Sequence, residues 1–346
     1  MWERTSCSRR ACTKVRTGVK RKGTRTESEG SRNQEYRRRT SYCKKGGAHL
    51  QQTKAMRFQF IENHSREFSV VKMCQLLHVS PSGYFKWKKH KPSQQEWRRR
   101  KMKKRIVELY KDSGNIYGSP KITRLLEKEG YTITERTVSI YMQQLGLSSC
   151  VSRQFKVVTT DSNHEYPVVP NKLNQNFTAP APNKVWVADI TYIPCREGRL
   201  YLASILDLCT REIVGWRLYN RMETKLVMDA LNDAYQARKP KKGLIHHSDR
   251  GTQYASYDYQ KKLREYGMEA SMSRTGNCYD NACAESFFSL LKKELMRGRK
   301  FQTKEQAYTE IYRYIEFFYN RKRIHGSIGY VSPVQYAQQF YLNQTA

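Results

Sequence analysis

Three acids stand where a carboxylate is out of keeping with its neighbours. Asp189 interrupts an apolar run, with Val185, Trp186 and Val187 before it and Ile190 after it. Asp249 closes the run Leu244-Ile245-His246-His247-Ser248, at the end of a predicted strand, where ligand crevices of α/β sheets open. Glu285 stands among Ala282, Ala284, Phe287 and Phe288. A lone Asp in a strand is more often a salt-bridge partner, but three acids in matched positions without a fixed cation in sequence reverse that reading. A carboxylate in apolar surroundings is unfavourable unless it is paired or binds metal. All-oxygen donors suit Mg²⁺ or Mn²⁺ and not zinc. Thirty-five residues separate Asp249 from Glu285, and Lys292 follows Glu285 by seven, two helical turns along the same face. Asn281 lies one turn before Glu285. A cation and an amide flanking a metal-ligating Glu would hold a phosphodiester beside the ions. His247, Arg250 and Gln253 are read as supporting residues that shape the site. For His247 a packing role is favoured over that of general base.

These acids need a scaffold, and from Lys184 the pattern supplies one. VWVADITYI, LYLASILDL and EIVGWRLY are strand-like runs joined by short polar connections, as in an antiparallel meander. A helix from Thr224 to about Arg238 follows. Then come LIHHSD as a fourth strand, a helix over about 256–266, MEASMS as a fifth strand, and helices near 281–296 and 303–320. Three strands followed by strand–helix alternation predict an α/β fold with a mixed five-stranded sheet and flanking helices, the order of a ribonuclease-H-like domain over 184–346.

The preceding half predicts α-helical helix-turn-helix units. Over 56–115, Ser69 caps a first helix, His78-Val79 makes the turn, and Ser80-Pro81 opens a second helix. A basic helix follows: seven of the eight residues from Arg98 to Arg105 are Lys or Arg, with Arg98, Arg99 and Arg100 as candidate phosphate contacts. Over 116–150, Ser119-Pro120 opens one helix and Thr134 caps the next. Arg136, Ser139 and Gln143 then point outward, where they can read base edges or be plain surface. Residues 151–183 lack periodicity and carry Pro167, Pro170, Pro180 and Pro182, the signs of a linker.

Residues 1–55 hold sixteen Lys or Arg, four Glu, and Leu50 as the only Leu, Ile or Phe. Such a segment cannot offset its chain entropy by burial. It is read as a disordered basic extension or, since patterned sequence begins at Met56, as an artefact upstream of the natural start. The whole chain carries 64 Lys and Arg against 31 Asp and Glu, a net charge of +33. That field calls for a polyanion such as double-stranded DNA. No run of about 18 apolar residues predicts a membrane span, and no secretory signal is visible. Nine scattered cysteines without a C-x-x-C pair read as reduced thiols of a cytoplasmic protein.

Four segments together carry a resemblance: WVADITYI (186–193), HSDRGTQY (247–254), SMSRTGNCYDNACAESFFSLLKKEL (271–295) and YNRKRIHGSIGYVSP (319–333). Over roughly Met56 to Gln339 the chain resembles the integrase-type (D-D-E) transposases of bacterial insertion sequences, relatives of retroviral integrases. The resemblance implies a ribonuclease-H-like core and two divalent ions held by Asp189, Asp249 and Glu285. It implies cleavage and joining of DNA at terminal inverted repeats, and a contact from Lys292 to terminal DNA. It further implies a homo-oligomer acting at the bacterial nucleoid. Such elements are usually read in two overlapping frames, with an upstream product that carries a helix-turn-helix and a leucine zipper. Residues 1–55 show no apolar heptads, so this chain reads as the downstream-frame product, with the upstream protein as its partner. A DNA-binding regulator of transposition without its own catalysis, and a ribonuclease-H-like nuclease that cuts without joining, are the alternatives.

Overall fold

The computed structural model describes residues 53–150 and 168–345. Most of the basic segment 1–55 and the first part of the predicted linker 151–183 lie outside the described residues. The chain divides into two compact units, one reaching to Glu96 and one starting at Trp97.

The first unit contains α1 (Lys54–His64), α2 (Val70–Leu76) and α3 (Pro81–Lys89). Its core is Phe60, Ile61, Met73, Cys74, Leu77 and Tyr84. The turn before α3 places His78 at φ 51°. Ser80 Oγ then accepts from Gly83 N–H at 3.0 Å, with Pro81 opening the helix, as the Ser-Pro pair predicts. Ser69 occupies the N-cap position of α2, but its side chain makes no capping bond.

The second unit begins with α4 (Gln94–Asp112), α5 (Ser119–Lys128) and α6 (Glu135–Gln144). Thr134 Oγ1 caps α6 by accepting from Thr137 N–H at 3.3 Å. Met102, Ile106 and Leu109 of α4 share one core with Tyr117, Ile122, Leu126, Val138 and Met142. The basic helix therefore packs with the two helices that follow it, whereas the sequence reading grouped it with the hairpin before.

The sheet consists of β1 (Val185–Cys195), β2 (Gly198–Asp207), β3 (Ile213–Tyr219), β4 (Ile245–Ser248) and β5 (Glu269–Met272). Its order is β3-β2-β1-β4-β5. The first three strands pair antiparallel, and β4 joins β1, and β5 joins β4, in parallel. This is the ribonuclease-H-like sheet, and it follows from the alternation in the sequence. Trp186 and Ala188 of β1 face a core with α7 (Thr224–Arg238) and with Tyr259 and Leu263 of α9 (Tyr257–Glu265), which a short α8 (Thr252–Ala255) precedes. Val185, Val187 and Ile193 face the other core, with Phe287, Phe288 and Leu291 of α10 (Ala282–Leu291) and Ile311 of α11 (Lys304–Tyr312). Each such side chain contributes roughly 1.5–3 kcal/mol on burial. Gly215 lets α7 lie directly on β3, since a Cβ there would stand 2.7 Å from the Ala234 Cβ.

Two of the predicted helices do not run through as regular α-helix. The segment read as 281–296 starts with a 3₁₀ turn at Cys278–Asn281 and ends in a π-helical turn, Lys292–Met296. The segment read as 303–320 ends in a second one, Arg313–Tyr319. A π turn widens the helix locally and redirects the side chains that follow. Periodicity over so few residues does not reveal it. A last helix, α12 (Pro333–Thr345), closes the chain. No helix among the described residues is long and apolar enough to cross a membrane.

Candidate active site

Strand register brings the first two acids together. In the parallel β1–β4 pair Val187 lies opposite His247. Asp189 stands two residues past Val187 on β1, and Asp249 stands two residues past His247, directly after β4. The third acid is delivered by α10, whose start is tied to β1: Asn281 Nδ2 donates to the Ala188 carbonyl at 3.1 Å, beside Asp189. Glu285 is the first-turn acid of that helix. The electrostatics show the convergence. Burial raises the Asp189 carboxyl well above its ordinary range, the charges of Asp249 and Glu285 raise it further, and the Ile190 N–H and Lys292 oppose them. Partial desolvation and then the Asp249 charge raise Glu285. Burial lowers the Lys292 ammonium against the attraction of Asp189, and its Nζ lies 4.8 Å from the Tyr192 ring centre. Like charge gathered in one crevice is the condition a cation relieves.

The four residues differ in depth. Asp189, Asp249 and Lys292 are half-buried, and Glu285 is exposed. In sequence Glu285 lies in an apolar neighbourhood. Its apolar neighbours Ala284, Phe287 and Phe288 are buried on the inner face of α10, leaving Glu285 on the outer face, open to a substrate. Among the described residues no three His, Cys, Asp or Glu side chains are drawn tightly enough to enclose one ion.

The supporting residues fall into place unevenly. Asn281 is 4% exposed and its amide N–H is committed to Ala188, which corrects the expectation of an outward face shared with Lys292. It anchors the helix to the strand, and its Oδ1 is buried without a partner. His247 is fully buried, with Nδ1 2.9 Å from Ser271 Oγ and Nε2 3.2 Å from Ser273 Oγ. Burial pushes it down to about 4, so it is neutral and joins β4 to β5. Arg250 donates to the Ser273 carbonyl and to Thr275 Oγ1, both at 2.6 Å. Gln253 donates to the Met222 carbonyl at 3.3 Å. Arg136, Ser139 and Gln143 are exposed on α6, opposite buried Val138 and Met142, and Arg98, Arg99 and Arg100 are exposed on α4.

Three residues at the site escaped the sequence reading. Gly251 N–H donates to Asp249 Oδ1 at 3.0 Å, and a Cβ there would stand 3.2 Å from that oxygen. Buried Tyr254 feels the charges of both aspartates. Asp280, fully buried, accepts from Arg274 N–H, Nε and Nη2, Asn171 Nδ2 and Gln175 Nε2 at 2.7–3.0 Å. Its carboxyl is held far below the ordinary range, chiefly by Arg274. All three lie within the quoted segments 247–254 and 271–295, but the partners of Asp280 lie as much as 109 residues away.

The sheet order and the matches to integrase core families and transposases define the class as a DDE-type polynucleotidyl transferase. Residues 179–278 and 285–340 match integrase core domain families, and residues 96–155 match an HTH-like domain. The chain is 41% identical over 269 residues to the insertion element IS600 uncharacterized 31 kDa protein of Shigella sonnei, covering 78% of this chain and 98% of that protein. It is 40% identical over 283 residues to transposase InsF for insertion sequence IS3A of Escherichia coli (strain K12), covering 81% and 98%. Among solved structures it is similar to the HTLV-2 integrase catalytic core domain in complex with magnesium, at TM-score 0.36 and 15% identity, covering 46% of this chain and 99% of that one. The chain belongs to the IS3-family DDE transposases of bacterial insertion sequences, enzymes of DNA transposition.

Proposed function

We propose that Asp189, Asp249 and Glu285 are the catalytic carboxylates of this transposase and that one crevice cleaves element ends and joins them to target DNA. The observation that carries the reading is geometric: β1 and β4 pair in parallel ahead of Asp189 and Asp249, and the Asn281–Ala188 bond ties the start of the Glu285 helix beside Asp189. The oxygen donor set fits Mg²⁺ or Mn²⁺. The three acids would hold two such ions, whose charge generates a nucleophile from water and neutralises phosphoryl oxygens. In cleavage, a water oxygen bonds to phosphorus as the bond to the 3′-oxygen breaks, leaving a 3′-hydroxyl and releasing a proton to solvent. In joining, that 3′-oxygen bonds to a target phosphorus as a target 3′-oxygen leaves. Lys292 sits beside Asp189 to meet the phosphodiester charge. Gly251 N–H fixes one Asp249 oxygen, and Asn281 holds the helix that bears Glu285.

The HTH-like unit would grip double-stranded DNA of the terminal repeats. Arg98, Arg99 and Arg100 would meet phosphates, which position without specifying, and Arg136, Ser139 and Gln143 would meet base edges. Holding two ends at once calls for a homo-oligomer, and the upstream-frame helix-turn-helix/leucine-zipper protein is the proposed partner at the nucleoid.

The test is a strand-transfer assay with the full chain, Mg²⁺ or Mn²⁺, and labelled DNA bearing the terminal repeats. Joined strands are expected. Cut but unjoined strands would reduce the protein to a nuclease, and binding without either product would leave a regulator. In the same assay Gly251→Ala should cut on the order of 10-fold more slowly, because its Cβ, 3.2 Å from Asp249 Oδ1, pushes that carboxylate by a few tenths of an ångström. Its melting temperature should hardly change, since Gly251 has an ordinary backbone φ of −61°. Undiminished cleavage by that variant would show that the Asp249 position is not critical.

A further inference from the structure

The segment Arg321-Lys322-Arg323-Ile324-His325 is prominent in sequence, yet none of its side chains has a part in the chemistry above. Its structure is two-sided. Arg323 is 4% exposed and forks onto Glu294, itself 7% exposed, with Nη2 to Oε1 at 2.7 Å and Nε to the two oxygens at 3.0 and 2.8 Å. Tyr314 Oη donates to the same carboxylate at 2.8 Å, and His325 lies 3.2 Å from Arg323 Nη1. Glu294 belongs to the π turn that prolongs α10, two residues beyond Lys292 and nine beyond Glu285. Ile324, between these two, goes the other way into the core of α4, α5 and α6. Its N–H donates to Tyr117 Oη at 3.0 Å, and Tyr117 Oη donates to the Lys322 carbonyl at 3.4 Å. Lys128 Nζ donates to the Tyr330 carbonyl at 2.6 Å, Arg124 lies over the Tyr330 ring, and Arg297 donates to the Gly114 carbonyl.

We propose that Arg323, Glu294, Ile324 and Tyr117 form a positioning lock between the HTH-like unit and the catalytic helix, and that this lock sets which phosphodiester of a bound end reaches the carboxylates. The proposal rests on the reading that the HTH-like unit grips end DNA and that the three acids cut it. A buried ion pair stabilises little more than apolar residues of the same shape would, and its best-attested use is to fix register. A planar guanidinium bonded to both oxygens of a carboxylate specifies orientation as well as distance. Here that pair joins the helix of Glu285 to the strap seated in the DNA-binding core. Lys121 of α5 lies at the same junction, with its Nζ 4.8 Å from the Tyr117 ring centre, and burial and then the Arg323 charge push it down to about 8.

The test maps cleavage of labelled ends at nucleotide resolution with the full chain and its Arg323→Lys and Tyr117→Phe variants. Arg323→Lys removes the planar fork and keeps the charge. Tyr117→Phe removes one hydroxyl and leaves the Ile324 N–H unpaired. Wild type should cut at one phosphodiester. The variants should spread cuts over neighbouring positions, with total cleavage down on the order of 10- to 100-fold and end affinity unchanged. Amide exchange over Tyr117–Leu145 should speed up in both variants. A loss of stability alone would lower the amount cut without moving the position. Folded variants that cut at the wild-type position and rate, with unchanged exchange, would overturn the lock. A wild type that binds ends and cuts nothing would sink the underlying cleavage reading instead. In that case the exchange data still judge the lock, and unchanged protection in Tyr117→Phe would reject it.

Discussion

Asp249→Asn should abolish cleavage and joining while raising the melting temperature of the metal-free protein. The two effects have one cause. Burial raises the Asp189 carboxyl, and the charge of Asp249 raises it further; the same charge acts on Glu285. Neutralising Asp249 removes that repulsion, which at a half-buried rim amounts to roughly 1 kcal/mol after solvent screening. For a domain of this size that is about 2–4 °C. Mg²⁺ should reverse the order, because an ion that binds only the folded wild type stabilises it by mass action and the variant has lost a ligand. The rate should fall on the order of 10³-fold or more, the scale seen when a group acting in the transition state is removed. Asp189→Asn and Glu285→Gln should behave alike, with DNA affinity retained because the proposed grip lies on α4 and α6. Paired melting curves with and without Mg²⁺, run beside strand transfer, make the check. Joining at the wild-type rate by any of the three would falsify the assignment. So would an equal Mg²⁺ shift in wild type and variant.

The sheet was legible because its strands alternate between two buried cores. Val185, Val187 and Ile193 fill one, and Trp186, Ala188 and Ile190 the other. Such alternation is written residue by residue. Asp189 and Asp249 stood out for a related reason, since one interrupts an apolar strand and the other directly follows a strand that pairs with it in parallel. Glu285 was singled out by its spacing, but its environment differs from the one its neighbours suggest, because apolar neighbours in sequence occupy the opposite side of a helix in space. Asn281 misled in the same way. Helical spacing placed it beside Glu285, yet a 3₁₀ turn precedes α10, and Asn281 at their junction turns its amide inward onto β1. The π turns were illegible because they span too few residues for a periodicity, and the Arg323–Glu294 pair and the Asp280 cluster because their partners are remote in sequence, up to 109 residues for Asp280. No local propensity encodes a contact of that range.

Asp280→Ala is expected to destabilise the fold by about 2–4 kcal/mol at neutral pH and to slow catalysis as well. The buried carboxylate gathers the Arg274 backbone and guanidinium with the amides of Asn171 and Gln175. Charge-assisted bonds to a buried acceptor contribute more than neutral ones, and removing the acceptor strands its donors. Arg274 is half exposed and can turn to water, which keeps the loss below the full cost of an orphaned buried charge. The dependence on pH separates this role from simple packing. The Asp280 carboxyl is held below its unfolded value, so its contribution is fully present above about pH 4 and is lost as the pH falls through the folded value. The stability gap between wild type and Asp280→Asn should therefore be flat from about pH 5 to 8 and shrink from about pH 4 downward. A gap that stays constant in acid would show that Asp280 is held by shape and not by charge. The catalytic effect follows through the next residue. Asp280 precedes Asn281, whose amide ties α10 to Ala188, so slack in this cluster displaces Glu285 relative to Asp189. Asp280→Asn should accordingly lower the single-turnover cleavage rate more than end affinity. A variant that melts earlier yet cleaves at the wild-type rate would uncouple the clamp from the active site.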